Sequence, residues 1–163
     1  MAKKTISITL YMSELIYDVQ NKTYLTGRSR NTGDNHEQVA NMQANEDEEN
    51  QNQVVRSIGN AYANLKTKLS EYIEDSGATA NNILLSASDN LQINLVMPSN
   101  FNPATNDTIG AALHQYIVNS AIGEWFTITN KADAADYLTL AAANLAEIRE
   151  AINKRVRPTR SNV

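Results

Sequence analysis

The chain has 163 residues, a mass of 18.0 kDa and no cysteine, a length that fits one domain and buries roughly 70% of the unfolded surface. Without cysteine there is no disulfide framework, thiolate metal site or thiol nucleophile, and no apolar run reaches the roughly 18 residues of a membrane-spanning helix. Fourteen basic residues against 18 acidic ones leave a net charge of −4, unlike the basic balance usual for a nucleic-acid-binding domain.

Residues 4–11 alternate, with Ile6, Ile8 and Leu10 on one side and Thr5, Ser7, Thr9 and Tyr11 on the other. Period two with β-branched residues predicts a strand. The stretch from Met1 to Leu10 is basic at its start but has no long apolar run, so no secretory leader is expected. Met12, Leu15, Ile16 and Val19 then recur at helical spacing, predicting a helix with Gly27 as its stop. Residues 28–35 read as a polar loop.

Residues 36–75 hold no proline and favour helix. Their second half has a seam of Val55, Ile58, Tyr62, Leu65, Leu69 and Tyr72, at the heptad spacing of a helix packed lengthwise. Their first half has no large apolar residue between Met42 and Val54. One helix over this whole stretch would be about 60 Å long, whereas a compact chain of this size is about 40 Å across. The stretch therefore either breaks near residue 50 or projects, and residues 36–53 read as a polar arm. Gly77 is the expected end of the long helix. Ile83-Leu84-Leu85 and Leu91 to Met97, separated by turn-rich residues, predict a hairpin. Two more helices follow. One carries Ile109, Leu113, Tyr116, Ile117 and Ala121 and ends near Trp125-Phe126. The other runs from about Lys131 to Lys154 with a seam of Leu138, Ala141, Leu145, Ile148 and Ile152. Asp133 and Asp136 near its start and Arg149, Lys154 and Arg155 near its end match the helix dipole. The short link between the two predicts an antiparallel helical hairpin. The expected fold is mainly α (α+β) in one domain spanning residues 1–163. It comprises four helices in an antiparallel bundle and a small antiparallel sheet from residues 4–11, 82–86 and 90–97.

No catalytic, cofactor or metal motif appears. His36 and His114 lack a ligand partner at helical spacing, and no glycine-rich phosphate loop or nucleophile elbow occurs. Glu46-Asp47-Glu48-Glu49 lacks the alternation and central glycine of a calcium loop. It reads as a solvated face or mobile arm, or as a docking element for a basic surface. The basic tail, residues 154–163, carries Lys154, Arg155, Arg157 and Arg160. It reads as dipole-compensating charge, as a group docking on an acidic neighbour such as Glu46–Glu49 of another copy, or as a DNA contact without a stacking platform. Trp125-Phe126 reads as core at a helix corner, with Tyr116 and Tyr137 near it. The 21 Asn and 7 Gln residues outnumber the 18 acids. Amides bond to other surfaces without the desolvation penalty of a charge.

Ala112-Leu113-His114-Gln115-Tyr116-Ile117-Val118-Asn119, then Glu124-Trp125-Phe126, Asp133-Ala134-Ala135-Asp136-Tyr137 and Lys154-Arg155-Val156-Arg157-Pro158 together resemble small virion proteins of tailed bacteriophages. They are similar in particular to head–tail connector or neck proteins of phages infecting Bacteroidetes, over roughly residues 105–160. The resemblance implies a non-enzymatic, ring-forming subunit between portal and tail or neck proteins, in the virion and, during assembly, in the host cytoplasm. A tail-side ring protein, or a soluble regulator contacting nucleic acid through the tail, is the alternative. The expected interface residues are Glu46, Asp47, Glu48, Glu49, Arg155, Arg157 and Arg160, with Arg28 and Arg30 as a second basic group. The resemblance leaves contact with packaged DNA open; no membrane and no cofactor are expected.

Overall fold

The computed structural model describes residues 2–73 and 80–160. Within them, five α-helices and a two-stranded sheet follow the order β1 (Lys4–Tyr11), α1 (Met12–Ser29), α2 (His36–Met42), α3 (Glu48–Lys68), β2 (Asn90–Met97), α4 (Asn106–Thr129) and α5 (Lys131–Ile152). The chain is mainly helical with a small antiparallel sheet, as expected, but the helices do not form a bundle of four equal members. Instead α4 runs through the centre and touches α1, α2, α3, α5 and β1. Its sequence explains the position. Ile109, Leu113, Tyr116, Ile117, Val118, Ile122, Trp125 and Phe126 are buried on several sides of the helix, and a helix that is apolar all round has to be enclosed.

α1 and α3 lie on α4 through narrower stripes. Met12, Leu15, Ile16 and Val19 are buried on α1, and Val54, Val55, Ile58, Ala61 and Leu65 on α3. The α1 stripe is the one the spacing predicts. On α3 the spacing predicts Val55, Ile58 and Leu65 but not Val54 or Ala61, and Tyr62, also in the expected seam, is only partly buried. Burying a large apolar side chain contributes roughly 1.5–3 kcal/mol relative to exposure. α5 returns antiparallel to α4, linked through Asn130 alone. Its seam differs by one position from the expected one. Ala134, Ala141, Ile148 and Ile152 are buried, Tyr137 and Leu145 pack partly against the core, and Leu138 is 48% exposed. The Tyr137 ring meets Phe126 edge-on at 5.4 Å and 62°, while Leu138, half exposed, lies over Gly123 of α4.

Three expectations are corrected. First, β2 does not pair with residues 82–86. It pairs with β1, in a register from Lys4 opposite Met97 to Tyr11 opposite Asn90. The match is chemical: Ile6, Ile8 and Leu10 stand opposite Leu95, Ile93 and Leu91, so both strands bury the same face. Residues 80–85 have no such alternation and form no strand. They lie along α3, where Leu84 and Leu85 pack against the core and Arg56 Nη1 donates to the Asn82 carbonyl at 2.9 Å. Second, the stretch over 36–75 takes the first of its two expected options, a break, but its second helix ends earlier than expected. It breaks at residues 43–47 between α2 and α3, and α3 ends at Lys68; Gly77, its expected end, falls outside the described residues. Third, Gly27 does not stop α1, which continues to Ser29. It is buried against α2, and a Cβ there would stand 3.0 Å from the Val39 carbonyl oxygen. The glycine is the point where α2 meets α1.

Candidate functional site

The acidic run Glu46–Glu49 forms the turn into α3. Asp47 is the N-cap position, and its backbone N–H is held by Asn45 Oδ1 at 3.1 Å. Asn45 Oδ1 also accepts from Asn50 Nδ2 at 2.6 Å. The amides thus carry the turn, leaving the four carboxylates exposed and, among the described residues, in no ion pair. Acidic groups at a helix start are favoured by the helix dipole. Beside them a groove is lined by Asn41, Gln43, Asn50, Gln53, Trp125 and Ile128, with Ile128 70% exposed.

The expected arm is anchored at the end of α2 and within the break. Trp125 Nε1 donates to the Met42 carbonyl at 2.8 Å, and the Ala44 N–H donates to Thr23 Oγ1 at 3.1 Å. Residues 36–53 therefore follow the body, and their acidic corner sits at the C-terminal end of α4. The lone tryptophan is buried and acts as an anchor, as expected.

The basic tail divides in two. Residues 154–156 are pinned beside residues 100–102: the Asn102 N–H donates to the Lys154 carbonyl at 3.1 Å and the Val156 N–H to the Asn100 carbonyl at 2.9 Å. Arg155 Nη1 donates to the Ile152 carbonyl at 2.9 Å, so this arginine caps the end of α5, while Lys154 pairs with Glu150 at 3.1 Å. Arg157 and Arg160 are exposed and form no ion pair among the described residues. The tail leaves the body at the N-terminal end of α4, where Thr105 Oγ1 donates to the Ala151 carbonyl at 2.9 Å. Acidic corner and basic tail thus lie at opposite ends of the 24-residue α4, about 36 Å apart along its axis.

Arg28 and Arg30 divide likewise. Arg28 is exposed. Arg30 reaches Asp133 at the start of α5 through Nε at 3.1 Å and Nη2 at 2.5 Å, in the fork geometry suited to a carboxylate. Asp133 is 4% exposed and also accepts from Asn130 Nδ2 at 2.6 Å. The Arg30 hydrogen bond holds its carboxyl below the ordinary carboxylate range, and the Arg30 guanidinium is held above its own. Arg30 therefore ties α1 to α5 within the subunit.

A second cross-helix pair, absent from the sequence reading, joins His114 Nε2 to Asp18 Oδ2 at 2.6 Å, between α4 and α1. Its partners are 96 positions apart, and no local spacing marks them. Tyr62 donates to the Gln92 carbonyl, and burial raises its phenol above the ordinary value. Among the described residues no group of three or more His, Asp or Glu side chains could hold a metal ion, and no helix is long and apolar enough to cross a membrane. No family model, curated protein or solved structure matches this chain.

Proposed function

We propose that the chain is a structural subunit of a tailed-bacteriophage virion, a head–tail connector or neck protein that joins portal and tail through a homo-oligomeric ring. One observation carries the reading. Four unpaired carboxylates at one end of α4 and two unpaired arginines at the other stand too far apart to meet within one subunit. They match between copies placed head to tail. Such a contact is heterologous, and closes into a ring when the rotation between copies divides a full turn. The buried seams make the body stiff. The amide-lined groove beside Glu46–Glu49 supplies hydrogen bonds for the neighbour's backbone without the penalty of burying a charge. The resemblance over residues 105–160 supports the same class, and a tail-side ring would use the same contact.

Mass photometry of the purified protein tests it. The expected result is a salt-sensitive oligomer that Arg157→Glu/Arg160→Glu dissociates and that reforms when this variant is mixed with one carrying lysine at 46–49. A protein that is monomeric at every concentration and absent from the proteome of intact particles would sink the reading. The exposed arginines favour one other reading, contact with DNA. Salt-dependent DNA binding by the monomer, abolished by removing residues 157–163, would identify it.

A further inference from the structure

The sheet has one closed edge and one open edge. On the far side of β2, Ile73 bridges to Leu95 and the Val96 N–H donates to the Tyr72 carbonyl at 2.6 Å. On the far side of β1 there is no such partner among the described residues. Alternate residues of a strand direct their N–H and C=O groups to opposite edges. Those of β1 that face β2 are paired, and between Thr5 and Tyr11 the opposite set meets no partner among the described residues. The core-facing side chains show the same asymmetry. Ile93 and Leu95 on β2 are 2% and 0% exposed, whereas Ile8 and Ile6 directly opposite them on β1 are only partly covered. The layer beneath the sheet stops short of its edge.

Isolated proteins guard an open edge with a charge, a proline, a bulge or a covering element. β1 has an unbroken register over eight residues, and from Thr5 to Tyr11 it carries neither charge nor proline. We propose that this edge pairs antiparallel with β1 of a second copy, joining two two-stranded sheets into one continuous four-stranded sheet. The strand's own pattern identifies the occupant. A two-fold axis at Ser7 sets Thr5 of one copy opposite Thr9 of the other, Ile6 opposite Ile8, and Ser7 opposite Ser7. Hydroxyls then meet hydroxyls on the outer face, and branched apolar side chains meet on the inner face, which are favourable cross-strand pairs. Lys3 and Lys4 of the two copies fall at opposite ends of the ladder. Parallel pairing would place them side by side.

The contact is self-complementary. It uses neither the acidic corner nor the tail, so it goes beyond the head-to-tail contact and does not rest on it. An eight-residue edge buries well below the roughly 1,600 Å² of a standard interface, so by itself it gives a weak dimer that forms in the micromolar range.

The test uses the full chain carrying Arg157→Ala/Arg160→Ala, which removes the head-to-tail contact. Sedimentation equilibrium to several hundred micromolar is run on this parent, on Thr5→Lys/Thr9→Lys and on Thr5→Glu/Thr9→Glu. Both positions are on the exposed face of β1, and circular dichroism checks that the fold persists. The parent is expected to dimerise. Each doubly charged variant places like charges opposite one another and dimerises about tenfold more weakly, and an equimolar mixture of the two recovers the dimer. Amide exchange of residues 5–11 in the parent slows with concentration. A monomeric parent, variants that dimerise as tightly as the parent, or a mixture that does not recover would each overturn the proposal.

Discussion

Replacing Asp133 by alanine should destabilise the fold by about 1–3 kcal/mol, and the part of that loss that depends on the carboxylate charge should vanish in acid. The carboxylate accepts two bonds from Arg30 and one from Asn130. Asn130 is 8% exposed, so its stranded amide loses a partner that water does not replace, which costs roughly 1–3 kcal/mol. Arg30 is different. Its side chain is 56% exposed and rehydrates when the pair is broken, so its share is the smaller one. The pH dependence has a definite sign. Arg30 lowers the native pKa of Asp133 from the ordinary 3.8. A depressed carboxyl contributes stability that is fully present above its unfolded pKa and is lost as pH falls through the native one. The window is therefore the acid side of 3.8. Urea denaturation of wild type and Asp133→Ala at pH 7 and across the range below pH 4 gives both numbers, and Arg30→Ala completes a double-mutant cycle. Equal midpoints for the two proteins at pH 7 would refute the reasoning. So would a difference that stays constant through the acid range.

Gly27→Ala gains up to about 1 kcal/mol of helix propensity within α1 but presses a methyl group on the Val39 carbonyl oxygen 3.0 Å away. Global stability is expected to change by about 1 kcal/mol or less while amide exchange of residues 36–42 accelerates; unchanged exchange there would contradict the role given to this glycine. Trp125→Phe keeps the buried ring but removes the bond to the Met42 carbonyl. Thermal unfolding should report a loss of about 1–2 kcal/mol, and exchange should rise at residues 43–47, where the acidic corner begins.

The interface residues expected from sequence are all at or near the surface, but they do not share one job. Glu46–Glu49, Arg28, Arg157 and Arg160 are exposed and unpaired among the described residues. Arg30 is engaged by Asp133 and Arg155 by the end of α5. Sequence shows where charge is dense and not whether a partner 103 positions away absorbs it. The same limit hid the His114–Asp18 pair.

Local periodicity was enough to place β1, α1, most of α3, β2, α4 and α5, because each element's apolar spacing is written within a few turns of chain. It also located the stripe that α1 buries and part of the one on α3. The partner of β2 was not legible. Residues 83–85 are near in sequence and apolar, but only β1, more than 80 positions away, offers three alternating apolar side chains in register with Leu91, Ile93 and Leu95. The break at residues 43–47 was half legible: the length of the stretch required a break near residue 50 or a projection, and did not say which. No proline or glycine marks it, and it exists because Trp125 and Thr23 hold the backbone of Met42 and Ala44. Periodicity records which face of a segment is apolar, whereas pairing, breaks and the separation of acidic and basic ends depend on which distant surface that face meets.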